Sequence, residues 1–162
     1  MIITLLDDKT QQSVINTFNL IEDSIGVEKF KQVFPIILTD NGSEFLDPES
    51  LEKSSDGLQK RSSLYYCDPN CSFQKGGIEK NHEYIRYVLP KGNSFNTLTQ
   101  KDVELLMNHI NSTSRDYLNG RSPAYLWQLL MDVKLTELLN IISIPPDNVN
   151  LTPKLLSKKN IT

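Results

Sequence analysis

Residues 35–45, PIILTDNGSEF, predict a short strand that ends in a turn. Pro35 begins the stretch, residues 36–38 are a short apolar run, and Asn41-Gly42 turns the chain. An apolar run bounded by such turn signals is typical of a buried strand. Asp40 then lies at the carboxyl end of this strand, which is where open α/β sheets usually carry their sites.

The segments on either side alternate between strand and helix patterns. The predicted order is a strand at 1–6 (MIITLL), a helix at 9–34 broken near Gly26, the strand at 36–38, a short helix at 47–53, a strand in SSLYYCDP (62–69), and helices at 78–89, 99–118 and 123–142. This alternation predicts an α/β architecture whose strands are at least partly parallel. Three strands are few for such a sheet.

Length and composition indicate one globular domain. The chain has 162 residues, of which 38% are hydrophobic and 23% charged, and it shows neither a membrane-length apolar run nor a signal peptide. We therefore expect a cytoplasmic protein. Two cysteines are too few for a disulfide scaffold. The net charge of −3 argues against a protein that coats nucleic acid nonspecifically, so any such contact must come from a local patch.

Asp40 and Glu79 are the strongest candidates for chemistry. Glu79 falls in the first turn of the helix that follows Gly76-Gly77, at the edge of its apolar face. Two carboxylates that meet at a sheet edge suit Mg²⁺, which takes oxygen ligands. The alternative is purely structural: aspartate before Asn-Gly is common turn chemistry, and glutamate at a helix N-terminus complements the helix dipole.

Two separated motifs carry a family resemblance. TDNGSEF, then YYCDP and QKGGIEKNHEYIR, with 38 residues between Asp40 and Glu79, resemble the catalytic core of DDE transposases and retroviral-type integrases. The continuation RYVLPKGNSFNTLTQKDVELLMNHINSTSRDYLNGRSPAYLW resembles the bacterial insertion-sequence branch of that family. The resemblance covers roughly residues 1–130.

The resemblance implies an α/β, ribonuclease-H-like (integrase core) fold that is incomplete, lacking the first two strands of the sheet and carrying extra C-terminal helices. Residues 1–130 would be a partial catalytic core, and residues 131–162 a C-terminal helix and polar tail. Asp40 matches the second acidic position of the family and Glu79 the third. No residue here matches the first, because Asp7 and Asp8 fall at a helix start, where capping explains them.

The family activity is metal-dependent DNA strand cleavage and strand transfer, as in DNA integration and transposition. The resemblance implies two Mg²⁺ (or Mn²⁺) ions held about 3.5–4 Å apart. It also implies DNA partners (element ends and target) and a homo-oligomer or full-length transposase, with no membrane. With two of three carboxylates the chain alone is expected to be inactive. The alternative function is a catalytically dead fragment that binds DNA or full-length transposase as an inhibitor.

Seven residues near the two motifs are candidate DNA contacts: Asn41, Gln74, Lys75, Lys80, Asn81, Arg86 and Lys91. Segment 74–91 carries four basic and two acidic residues inside an acidic protein, and such side chains contact phosphates. The alternative is a solvated helix face on which Glu79, Glu83 and Arg86 pair.

Two further groupings are weaker. Cys67, Cys71, His82 and His109 match no regular zinc spacing, and His82 is expected to be a half-buried residue on the apolar side of its helix. Apolar residues of the last helices could form an oligomer interface or cover the sheet. They are Leu105, Leu106, Ile110, Leu118, Leu126, Leu129, Leu130, Leu135, Leu138 and Leu139.

Overall fold

The structure is a computed structural model that describes residues 1–68 and 76–156. Its helices and strands in these ranges are α1 (Gln11–Ile25), α2 (Val27–Val33), β1 (Ile36–Thr39), α3 (Pro48–Glu52), β2 (Ser63–Tyr66), α4 (Gly76–Val88), α5 (Gln100–Ser112), α6 (Pro123–Leu130) and α7 (Val133–Leu138). The chain forms two compact units. We call Leu6–Lys75 the sheet unit, and Met1–Leu5 together with Gly76–Thr162 the helical unit.

The sheet unit is built on the parallel pair β1–β2, in which Ile36 lies opposite Ser63 and Thr39 opposite Tyr66. The predicted break near Gly26 is confirmed: this glycine separates α1 from α2 with a φ of 85°, a conformation that side chains with a Cβ rarely adopt. Asp47 caps α3 as expected, since its side chain accepts a hydrogen bond from the Ser50 N–H.

The core of the sheet unit lies between α1, α3 and β2. Val14, Ile15 and Leu51 are buried there, with Phe18, Phe45 and Leu64 packed against them. Phe30 of α2 is fully buried, and its ring lies 5.0 Å from that of Phe34 and 6.1 Å from that of Phe18. Burial of these side chains fixes the helices over the sheet.

The helical unit packs α4 against α5. Its core contains Val88 and Leu89 of the first segment and Leu106 and Ile110 of the second. Helix α5 begins with the predicted cap at Thr99, which forms a reciprocal capping box with Asp102. Such a box satisfies N–H groups that the first turn leaves unpaired.

The predicted strand at residues 1–6 is not formed. These residues carry no regular secondary structure, and no strand of the described ranges pairs with them. Side-chain amides bind the backbone instead: Asn111 bonds both the amine and the carbonyl of Met1, and Gln100 accepts from the Leu5 N–H. Met1 and Ile3 nevertheless pack against the helical core. A strand needs hydrogen-bonding neighbours, and the apolar pattern alone does not provide them.

Two long helices are shorter than predicted. The helix expected at 99–118 ends at Ser112, and the one expected at 123–142 is divided into α6 and α7. The division falls at Asp132, whose side chain accepts a hydrogen bond from the Lys134 N–H and caps the second helix. The apolar periodicity continues across this point, so it does not reveal the break.

The predicted strand at 36–38 is correct in type but wrong in burial. Ile36 is 62% and Leu38 43% exposed, whereas Thr39 is buried. Among the described residues the sheet has two strands, and this small sheet leaves apolar side chains uncovered.

The fold is mixed α/β, mostly helical, with one small parallel sheet in the described ranges. In those same ranges, no helix is long and apolar enough to cross a membrane. The division at residue 130 into a catalytic core and a C-terminal segment stays a prediction.

Candidate functional site

Asp40 lies where the sequence predicts, directly after β1 at the carboxyl end of the parallel pair. It is exposed, and its Oδ1 accepts a hydrogen bond from the Gly42 N–H at 3.2 Å. The preceding carbonyl of Thr39 accepts from the Cys67 N–H at 2.8 Å, which fixes the end of the strand. The turn therefore holds one carboxylate oxygen and orients the group at the sheet edge.

Glu44 is a second carboxylate at this turn, and the sequence analysis did not single it out. A Cβ added to Gly42 would lie 2.7 Å from Glu44 Oε2 and 3.0 Å from Asp40 Oδ1, so the two oxygens flank the glycine. Lys9 Nζ lies 3.3 Å from Glu44 Oε2. A hydrogen bond from its own backbone N–H, aided by Lys9, lowers the pKa of the Glu44 carboxyl. Its place in TDNGSEF, four residues after Asp40, was the available signal.

Glu79 lies in the first turn of α4, as expected, and is exposed. Its carboxylate forms no hydrogen bond or ion pair that involves a described residue. Asp40 belongs to the sheet unit and Glu79 to the helical unit.

The donor chemistry of these groups fits a hard divalent cation. Carboxylate oxygens are the ligands that Mg²⁺ and Mn²⁺ prefer. Within residues 1–68 and 76–156, however, no three His, Cys, Asp or Glu side chains are grouped to hold a metal. The N-cap of α1 is Thr10 rather than Asp7 or Asp8, and Asp8 Oδ1 accepts hydrogen bonds from the Thr10 and Ser13 hydroxyls, each at 2.5 Å. The Ser13 bond in particular lowers the pKa of Asp8.

The basic candidates differ in their surroundings. Lys80 pairs with Glu83 at 2.6 Å, and this hydrogen bond raises the pKa of Lys80. Glu83 also accepts a hydrogen bond from the Tyr87 hydroxyl at 2.6 Å. The partners of Glu83 are therefore Lys80 and Tyr87, not the Arg86 of the alternative in which Glu79, Glu83 and Arg86 pair. Arg86 and Lys91 are exposed and line an apolar cavity of about 490 Å³ in the helical unit.

The amide candidates lie at both motifs. Asn41 is exposed in the turn after Asp40, and Asn81 is half-buried on α4. Gln74 and Lys75 lie outside the described residues.

The two histidines differ in their burial. His82 is exposed, although it lines the same cavity as Ile85 and Leu89, so its helix face is right and its depth is wrong. His109 is buried, and its Nδ1 accepts a hydrogen bond from the Asn150 N–H at 3.0 Å. Burial lowers the pKa of His109. Cys67 is buried, and Cys71 lies outside the described residues.

The apolar residues of the last helices divide between core and surface. Leu106, Ile110 and Leu135 are buried, whereas Leu129 and Leu130 are 62% and 75% exposed. The three buried residues lie in the interior of the helical unit, and the two exposed leucines lie on its surface.

The chain is similar to proteins of mobile elements. It is 29% identical over 97 residues to the transposase for insertion sequence element IS4351 of Bacteroides fragilis, a match that covers 60% of this chain and 28% of that protein. It is 32% identical over 60 residues to the transposase for element IS1086 of Cupriavidus metallidurans, covering 37% and 18%. It is 32% identical over 83 residues to ORF3 of Spiroplasma virus SpV1-R8A2 B, a candidate integrase, covering 51% and 24%.

These matches confirm the resemblance carried by the two motifs, and the chain is a relative of insertion-sequence transposases and integrases. The matched stretches span 18–28% of the length of these curated relatives. No family model matches the chain, and no solved structure matches it.

Proposed function

We propose that the chain is the C-terminal part of a DDE transposase or integrase catalytic domain, with a ribonuclease-H-like arrangement of its elements. Asp40 is then the second and Glu79 the third acidic residue of a three-carboxylate site. The observation that carries the proposal is the position of Asp40, which follows a parallel strand within the motif TDNGSEF and is held by the Gly42 N–H. The names of the three relatives support the same function.

Bound divalent ions, Mg²⁺ or Mn²⁺, would supply activation of the attacking oxygen and stabilisation of the leaving oxygen in phosphoryl transfer. The chain provides oxygen ligands and their orientation. The turn after β1 fixes one oxygen of Asp40 and leaves the carboxylate at the exposed strand end. Glu79 presents a carboxylate that the described residues do not engage. Lys80, next to Glu79, and the exposed Arg86 and Lys91 are positively charged groups for a DNA backbone.

A second candidate function is binding without catalysis, and it rests on the metal ligands of the described residues. Within residues 1–68 and 76–156, no three His, Cys, Asp or Glu side chains are grouped to hold a metal. The chain would then bind DNA, or assemble with full-length transposase, without catalysing the reaction. Removing one carboxylate from a two-metal site changes both its charge and its geometry. Catalysis would then be lost while DNA binding is kept.

The test is a strand-transfer assay on protein expressed from its own locus with the DNA upstream of the Met1 codon retained. We compare wild type with Asp40→Asn and Glu79→Gln, and use Glu49→Gln as a control because Glu49 is an exposed α3 residue. Both site variants should lose DNA joining and keep DNA binding, while the control keeps both. Full strand transfer by either site variant would show that the ligands are misassigned.

The binding function has its own test. The 162-residue chain is co-expressed with a full-length transposase of the same element, and the frequency of transposition is measured. A fall in frequency that persists in Asp40→Asn is expected of a noncatalytic partner. An unchanged frequency would remove the inhibitory function.

A further inference from the structure

A cavity of about 420 Å³ lies in the helical unit between the start of α4 and the segment that follows α5. It is lined by Gly77, Lys80, Asn81, Tyr84, Ser114, Arg115, Asp116 and Tyr117. Most of these residues can donate hydrogen bonds, and one of them, Asp116, is acidic. The sequence analysis singled out Lys80 and Asn81 of this lining, but none of the lining residues that follow α5.

Arg115 is the unusual member of this cavity. The residue is 5% exposed, and its guanidinium carbon lies 3.9 Å from the centre of the Tyr84 ring. Its Nη2 donates to the Ile110 carbonyl at 3.0 Å, but its Nη1 is buried and has no hydrogen-bond acceptor among the described residues. A buried donor on a charged group is costly to leave unpaired. An acceptor from outside the described residues would remove that cost.

The backbone holds Arg115 in place before any ligand arrives. Its N–H donates to the Arg121 carbonyl at 3.0 Å, and its carbonyl accepts from the N–H groups of Leu118 and Gly120, each at 3.0 Å. The cation–π contact with the Tyr84 ring further restrains the guanidinium. The group is therefore preorganised, which lowers the entropic cost of binding.

A second cation faces the same ring. Lys80 Nζ lies 5.4 Å from the centre of the Tyr84 ring and is paired with Glu83. The first turns of α4 add the positive end of a 13-residue helix. Among the described residues, a Cβ on Gly77 would meet no atom within 4 Å, so none of them blocks the approach of a ligand to the backbone there. These features favour an anion with several acceptor oxygens. Two carboxylates oppose it: Asp116 in the lining and Glu83, which already pairs with Lys80.

We propose that this cavity binds a phosphate group, with Arg115 Nη1 and Lys80 Nζ as its charged donors. A guanidinium provides the planar, directional donors that phosphate oxygens accept. We assign the phosphate to the backbone of a nucleic-acid strand, and only this choice of source rests on the proposed function. A strand held there would lie beside the helix turn that carries Glu79, so Arg115 would position the substrate.

The first experiment titrates inorganic phosphate into the ¹⁵N-labelled full chain at constant ionic strength, with chloride as the reference anion. The amide signals of residues 77–84 and 114–117 should shift with phosphate and not with chloride. The variants are Arg115→Lys and Lys80→Gln, and the control is Arg121→Gln, an exposed arginine outside the cavity lining. Loss of one charge-assisted bond predicts about tenfold weaker phosphate binding for each site variant. The control should match wild type.

The second experiment measures affinity for a short DNA duplex at several salt concentrations. Weaker DNA binding by both site variants, with the control unchanged, supports the nucleic-acid source. If phosphate shifts the cavity signals but both site variants bind DNA with wild-type affinity, the cavity binds free phosphate and the assigned source is wrong. If phosphate shifts no cavity signal, the proposal is overturned, even where the chain still binds DNA and the proposed function stands. Lys80→Gln and the wild-type titration decide the question if Arg115→Lys fails to fold.

Discussion

A buried ion pair between Arg61 and Glu22 should dominate the stability of the sheet unit. The two side chains are 0% and 5% exposed, and Nη1 lies 2.8 Å from Oε2. Arg61 also donates to the Asn19 side chain and to the carbonyls of Leu51 and Ser50. One guanidinium thus links α1, α3 and the residues that lead into β2.

Replacing Arg61 by methionine keeps an unbranched apolar side chain but leaves the Glu22 carboxylate buried without its cation. Breaking a buried pair in this way costs about 3–5 kcal/mol, which is a large share of the roughly 5–15 kcal/mol that stabilises a domain. The double variant Arg61→Met/Glu22→Leu removes both charges and should recover part of the loss, because an apolar pair carries no desolvation cost.

Urea unfolding followed by far-UV circular dichroism measures the free energy of unfolding for each variant. Hydrogen exchange at residues 50–52 and 63–66 then locates the loss in the sheet unit. The single tryptophan, Trp127, lies in the helical unit, so its fluorescence reports on that unit separately. Arg121→Met, at an exposed arginine, is the matched control. A loss below about 1 kcal/mol for Arg61→Met, the size typical of an exposed pair, would refute the reasoning.

Three smaller changes test other parts of the structure. Gly42→Ala is compatible with the backbone φ of −65°, but it places a Cβ against the two carboxylates of the turn. We therefore expect unchanged thermal stability and, by calorimetry, weaker Mn²⁺ binding. Unchanged Mn²⁺ binding would count against a metal role for the turn. Burial holds the pKa of His109 below 6.5, so its neutral form stabilises the fold above pH 6.5 and this stability falls as the pH drops from there towards the lower folded pKa. Urea titrations at pH 5 and pH 7.5 should show that fall, and His109→Gln should reduce it; an equal fall in the variant would assign it to other groups. Thr99→Ala removes the cap of α5 and should cost about 1 kcal/mol, measured by urea unfolding against Thr97→Ala, and a cost equal to that control would contradict the capping box.

Local chemistry made several elements predictable. The break at Gly26, the caps at Asp47 and Thr99 and the strand before Asp40 all follow from residues within one turn of each other. The family resemblance was equally accessible, because it rests on short motifs that can be recognised without knowing the fold.

Features that depend on distant partners were not predictable. MIITLL has the pattern of a strand, but strand formation needs neighbours that the pattern does not specify. The break at Asp132 was missed for a different reason: its cap is local, but the apolar periodicity continues across it. In the sequence, Arg61 resembles any loop arginine, because its ion-pair partner Glu22 lies 39 positions away.

The same limit applied to the candidate site. Asp40 and Glu79 were accessible because each lies within a recognisable motif. Arg115 was not accessible in this way. It stands out because it is buried against Tyr84 and because no described residue accepts a hydrogen bond from its Nη1, and the local sequence shows neither feature.

The most direct test of the central claim is whether Asp40 and Glu79 bind a divalent metal. Mn²⁺ is added to the ¹⁵N-labelled full chain, and paramagnetic broadening of the backbone amide signals is recorded. The account predicts selective broadening at residues 40–44 and 77–80, reduced at the first by Asp40→Asn and at the second by Glu79→Gln, with Glu49→Gln unchanged. Broadening confined to other residues, or unaffected by both site variants, would contradict it.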